Sequence, residues 1–156
     1  MPERTPRKQT AEQAGYLVAD VVEAAGAIRR LGDEMAATVG QTQARWSALS
    51  VFASEGDWTV ARGARRLGIS RQSLQRVVDL LLDEGLLAAV PNPDHARSPL
   101  IRLTPEGERT LATIAAASEP WQARLAERMT LDEVLAARKV LAAVVQAARE
   151  GVEQDG

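Results

Sequence analysis

The 156-residue chain contains no cysteine and a single histidine, His95. The first absence excludes disulfides, thiolate metal sites and cysteine redox sensing. The second excludes a metal site built from several histidines. No run of about 18 apolar residues occurs, so no segment reads as a membrane-spanning helix. Residues Met1 to Thr10 are charged, hold Pro2 and Pro6, and lead into no unbroken apolar block. That pattern argues against a secretory signal and for a disordered tail on a cytoplasmic protein. No nucleophile–base pair, phosphate-cradling glycine loop or metal constellation is present, so the sequence points to no enzyme and no cofactor.

Hydrophobic residues make up 46% of the chain and charged residues 26%, enough for one domain with a real core and close to the balance of soluble globular proteins. The net charge of −2 does not advertise nucleic-acid binding. Its distribution says more. Gln41 to Leu103 carries eight arginines against six acids, whereas the rest carries eleven basic residues against fifteen acids. A mildly basic centre flanked by acidic ends hints at an anion-facing middle.

Hydrophobic spacing predicts a long helix from Ala11 to about Val39, with Leu17, Val18, Val21, Val22, Ala25, Ile28, Leu31 and Met35 on its apolar positions. A second helix follows over Gln43 to Ser54, with Gly56 as its stop. Asp57-Trp58-Thr59 reads as a short extended piece, and Thr59 caps a third helix over Val60 to Leu67. Gly68 turns the chain. Ser70 then caps a fourth helix ending near Glu84, with Ile69 and Leu74 placed for a hydrophobic staple. Leu86 to Val90 and Pro99 to Leu103 read as two strands around a tip too rich in proline and turn residues to pair. Thr104-Pro105 starts a fifth helix, which Pro120 is expected to kink or break. Thr130 to Glu133 is a capping box opening the last helix, with Leu131, Val134, Leu135, Leu141, Val144 and Val145 on its apolar face. The fold class is therefore mainly α with a small β-hairpin wing, the order of a winged helix-turn-helix.

The fourth helix carries the chemistry. Leu74, Val77, Val78, Leu81 and Leu82 form one apolar stripe. Opposite lie Arg71, Gln72, Gln75, Arg76 and Asp79, with Ser70 and Ser73 at the N-terminal end. Arginine bonds guanine O6 and N7, and glutamine bonds adenine N6 and N7, each through two hydrogen bonds in the major groove. The helix start offers backbone N–H groups to a phosphate. The alternative is a solvated polar face. Arg97, in a proline-bracketed tip, suits the negative potential of a minor groove, the alternative being an arginine that solvates the loop.

The run Arg65-Arg66-Leu67-Gly68-Ile69-Ser70-Arg71-Gln72-Ser73 resembles the MarR family of bacterial transcriptional regulators. So do Leu81-Leu82-Asp83-Glu84-Gly85-Leu86 and the stretch from Arg97 through Leu103-Thr104-Pro105-Glu106-Gly107. The resemblance implies a ligand-responsive repressor that binds double-stranded DNA at a palindromic operator. It also implies an intertwined homodimer built from the first helix and the last two, with intramolecular packing into a monomer as the alternative. The resulting division is a tail at 1–10, a dimerisation helix at 11–40, a DNA-binding winged domain at 41–103, dimerisation helices at 104–150 and a tail at 151–156. The DNA-reading residues would be Ser70, Arg71, Gln72, Ser73, Gln75, Arg76, His95 and Arg97. A small aromatic or phenolic effector at the junction of helices would meet Arg45, Trp46 and Trp58, although both tryptophans also read as core residues. A winged module that binds another protein instead of DNA is the competing function.

Two departures from the family stand out. Its wing commonly places an aspartate two residues before the arginine and salt-bridges the pair. Here that position is His95, with Asp94 displaced by one. Gly63 stands where the family has a bulky aliphatic, leaving either a cavity or a gap filled by a neighbour such as Trp58.

Overall fold

The computed structural model describes residues 6–154. Helices α1 (Pro6–Ala37), α2 (Gln43–Ala53), α3 (Val60–Leu67) and α4 (Arg71–Asp83) are followed by strands β1 (Leu87–Val90) and β2 (Leu100–Leu103), then α5 (Pro105–Ala126) and α6 (Leu131–Gln154). The chain divides into two compact units, residues 29–119 and the described parts of 1–28 and 120–156.

Within residues 29–119, each short helix starts on a side-chain cap that satisfies a backbone N–H the helix itself cannot use. Thr42 accepts from the Arg45 N–H, Thr59 from Arg62 and Ser70 from Ser73. Gly68 ends α3 at φ 67°, a left-handed conformation that costs glycine nothing and lets the chain turn directly into α4. The core joins Leu49 and Phe52 of α2, Trp58, Ala64 of α3, Leu74, Val78 and Leu81 of α4, Leu86, Leu87 and Ile101 of the wing, and Ile114 of α5. The α4 stripe is inside as its spacing requires, with Val77 and Leu82 half-buried at its edges. Ile69 remains 44% exposed and so is not drawn into the core with Leu74.

Gly63 leaves no cavity. A Cβ built there would meet Leu74 Cδ2 at 3.0 Å and Phe52 Cε1 and Cζ at 3.4 Å. Those two side chains, not Trp58, occupy the space. Gly63→Leu is therefore expected to destabilise the chain by about 1–3 kcal/mol through overpacking, measured as a lower urea midpoint at unchanged m-value.

The wing is antiparallel, with Leu87 opposite Leu103 and Val90 opposite Leu100. On the outer edge of β2 the Ile101 N–H donates to Trp58 O at 2.7 Å, which ties the extended piece 57–59 to the wing. The start of α5 is locked onto β1. Thr104 Oγ1 donates to Gly85 O at 2.6 Å, the Thr104 N–H donates to Leu86 O at 3.1 Å, and the Gly107 N–H donates to Thr104 Oγ1.

Three boundaries differ from the sequence reading. The helix α1 begins at Pro6, so residues 6–10 are helical; proline is compatible with a first helical turn, where its missing N–H has no partner to lose. Pro120 does not break α5, which is continuous to Ala126. The ring removes the N–H that would bond Ala116 O, but Ala116 lies on an exposed turn. The last helix runs through Gly151 to Gln154, Gly151 taking no positive φ. The remaining tail positions, 1–5 and 155–156, lie outside the described residues.

In the second unit, the capping box forms as the sequence predicts. The Glu133 carboxylate accepts from the Thr130 N–H and hydroxyl, and Thr130 Oγ1 accepts from the Glu133 N–H. The bond from the Thr130 backbone, followed by that from its hydroxyl, lowers the Glu133 pKa. Large apolar side chains stay exposed on both helices here: Tyr16, Val18, Val22 and Ile28 on α1, and Leu131, Leu135, Val140, Leu141 and Val145 on α6.

Candidate nucleic-acid interface

The N-terminal half of α4 presents a polar edge. Ser70, Arg71, Gln72, Ser73 and Arg76 are exposed. Ser70 and Ser73 are joined through their hydroxyls at 2.7 Å, and Ser70 also caps the helix, so both are partly committed to the turn itself. Arg71, Gln72 and Arg76 engage no hydrogen-bond or ion-pair partner among the described residues. Gln75 differs: it is half-buried and donates through Nε2 to Asp79 Oδ1 at 2.8 Å. Cations and amides thus gather at the start of the helix and acids, Asp79, Asp83 and Glu84, toward its end.

The wing tip is organised by Asn92, a residue that sequence reasoning treated only as turn material. Its Nδ2 donates to Ser98 O at 2.8 Å, and its Oδ1 accepts from the Asp94 N–H at 3.0 Å. The Ser98 N–H donates to His95 O at 2.9 Å. His95 and Arg97 are exposed on this frame, and neither side chain has a partner among the described residues. Asp94 does not pair with Arg97: its backbone N–H is held by Asn92 and its side chain is exposed.

Arg65 and Arg66 were not among the DNA-reading residues expected from the sequence. They are exposed in the last turn of α3, three and two residues before Gly68, and have no partner among the described residues. The signal was an adjacent basic pair just ahead of Leu67 and the αL glycine that leads into the reading helix.

The residues suggested for an effector do not form one open site. Trp58 is 7% exposed, donates through Nε1 to Ser54 O at 3.0 Å, and has the Arg62 guanidinium 4.8 Å from its ring centroid. Trp46 is half-buried against the same core. Arg45 is spent on a bidentate pair with Glu84 and a 2.7 Å bond from Nε to Gln41 Oε1. Hydrogen bonding from Arg45, aided by its charge, holds the Glu84 carboxyl below its ordinary value of 4.5 and outweighs the opposing effect of desolvation. A depressed folded pKa means the pair stabilises the fold above the unfolded value and is lost as pH falls through the folded one. A double-mutant cycle of Arg45→Ala and Glu84→Ala is expected to give about 0.5–1 kcal/mol of coupling at neutral pH, the upper range for part-exposed pairs. The coupling should disappear once acid protonates Glu84, and urea titrations at the two pH values check it.

A family model described as the MarR family matches residues 39–98, from the end of α1 through the wing tip. An uncharacterized protein of Mycobacterium tuberculosis is 43% identical over 136 residues, 87% of this chain and 94% of that protein. The chain belongs to the MarR family. Among solved structures, a mutant MarR of Escherichia coli complexed with operator DNA superposes with a TM-score of 0.66 at 24% identity, covering 83% of this chain and 91% of that one. The Mycobacterium tuberculosis regulator MOSR, in complex with DNA, matches with a TM-score of 0.67 at 24% identity over 85% of this chain and 96% of that one. These likenesses establish the MarR winged-helix fold. In this MarR-family chain, α3 and α4 form the helix-turn-helix and β1–β2 the wing.

Proposed function

We propose that the chain is a sequence-specific double-stranded DNA-binding transcriptional regulator that acts as a homodimer. One observation carries the reading: Arg71, Gln72 and Arg76 stand exposed and unpartnered at the start of α4, while the opposite face of that helix is buried. A helix so arranged offers donors for base edges in a major groove, and Arg97 on the wing offers a cation to the adjacent minor groove. Arg65 and Arg66 add cations for phosphate oxygens beside the reading helix. The two related structures holding DNA support the same use of the fold.

The dimer reading rests on the apolar side chains left exposed on α1 and α6, which need a second copy to cover them. A two-fold dimer reads a palindrome with half-sites about 10 base pairs apart. Repression would follow from occupying a promoter. An aromatic effector finds no support from Arg45 and Trp58, whose polar groups are already engaged.

Selection of bound duplexes from a random pool, followed by mobility shifts across salt, tests the proposal. The expected result is a palindromic consensus and a log affinity that falls with log salt by about 0.9 per phosphate neutralised. Absence of any shift on random duplex at low salt would leave the winged domain as a protein-binding module.

A further inference from the structure

We propose that Arg102, gripped by Asp57, is a positioning residue that sets the wing, and with it Arg97, for DNA. The inference rests on the DNA-binding reading above and goes beyond it by assigning what aims the wing.

The tip cannot aim itself. It holds no internal ion pair among the described residues, since Asp94 and Arg97 do not meet. Asn92 fixes the shape of the loop but bonds to Asp94, His95 and Ser98, all within the tip. A ribbon of two four-residue strands is marginal in isolation, so its direction must come from the base.

Besides the buried Leu87 and Ile101, one polar side chain ties the base to the loop before α3. Arg102, opposite Ala88 in the ladder, donates through Nη1 to Gly56 O at 2.9 Å and through Nη2 to Asp57 Oδ1. Two arms of a planar fork therefore hold one loop, a geometry that lysine does not reproduce. Gly56 makes this possible: its φ of 116° lies in a region other residues rarely adopt, and it presents the carbonyl that Arg102 takes. The loop is in turn fixed to the helix-turn-helix. Arg62 of α3 donates to Asp57 O at 2.8 Å and lies over the Trp58 ring, and Trp58 O accepts from Ile101 of β2. The linkage runs from α3 through residues 56–58 to Arg102, β2 and the tip.

Charge makes the idea testable by sign. Asp57 is an acid on a domain read as facing a polyanion. If it acted only through charge, its removal would strengthen DNA binding. If it holds the wing through Arg102, removal must weaken binding despite the added net positive charge.

The experiment uses the full-length chain and a selected duplex, with wild type, Asp57→Ala, Arg102→Ala, Arg102→Lys, Arg97→Ala and the Asp57→Ala/Arg97→Ala double variant. Amide exchange of the wing is followed in the same proteins without DNA. In Asp57→Ala and both Arg102 variants, amides of Asp94, Ser98 and β2 should exchange faster while those of α4 keep their protection. Affinity should fall about three- to fivefold for Asp57→Ala, the scale of a solvent-exposed ion pair. It should fall no further when Asp57→Ala is added to Arg97→Ala. Wing exchange that stays at the wild-type rate overturns the inference, whatever the DNA result. Tighter binding by Asp57→Ala, or losses additive with Arg97→Ala, also overturns it. A wild-type chain that does not bind duplex DNA, with wing exchange responding as stated, defeats the DNA reading and leaves the clamp standing as a structural fact.

Discussion

Gly107→Ala is expected to destabilise the winged unit by about 3 kcal/mol, near the top of the range for overpacking, and to lower Tm by roughly 15 °C. A Cβ at this buried position would lie 2.0 Å from Leu86 O. The obstacle is a backbone carbonyl, and that carbonyl already accepts the Thr104 N–H at 3.1 Å. Moving it would cost the hydrogen bond and shift Leu86 and Leu87, both in the core. Rotating a side chain away offers no relief. Gly151→Ala supplies the contrast, since nothing lies within 4 Å of a Cβ there and φ is not positive. It should leave Tm unchanged or raise it slightly through helix propensity. Thermal melts of both variants decide the point; a Gly107→Ala protein that melts with wild type would mean α5 does not dock on β1 as described.

The second large effect is expected in DNA binding, where the structure separates residues that the sequence made equivalent. Gln72→Ala and Arg71→Ala should each cost about 1–3 kcal/mol of discrimination at one base position, as the loss of a bidentate contact does. Gln75→Ala should cost much less, because its amide is half-buried and already bonded to Asp79. Arg97→Ala should weaken binding to all sequences and reduce the salt slope by about one. Fluorescence anisotropy on the selected duplex and single-base variants, at three or more salt concentrations, measures all four. Equal losses for Gln72 and Gln75 would show that α4 meets DNA through a different edge.

The secondary structure was legible because its signals are local. Threonine or serine before an apolar run, glycine after one, and proline at a first helical position each fix a backbone hydrogen bond within a few residues. Thus Thr59, Gly68, Ser70 and Thr104 mark their elements in the sequence and in the structure alike. The same signals misled where two readings were compatible with one residue. Pro6 was read as part of a tail yet begins α1, and Pro120 was expected to kink or break α5 yet lies inside a helix continuous to Ala126.

The polar edge of α4 followed largely from the 3.6-residue period, since burying Leu74, Val78 and Leu81 turns Gln72 and Arg76 outward, while Arg71, on the side of Leu74, is exposed as the first residue of the helix. What tertiary structure decided were the pairings between residues far apart in the chain: Arg45 with Glu84, Arg102 with Gly56 and Asp57, Gly107 against Leu86, and Gly63 against Phe52 and Leu74. Residue identity and spacing set a helical period, but they carry no record of which side chain, about 40 residues on, arrives to claim an arginine. That depends on how the elements pack, and packing engages the polar groups of Arg45 and Trp58 within the fold while leaving Arg71 and Arg97 exposed.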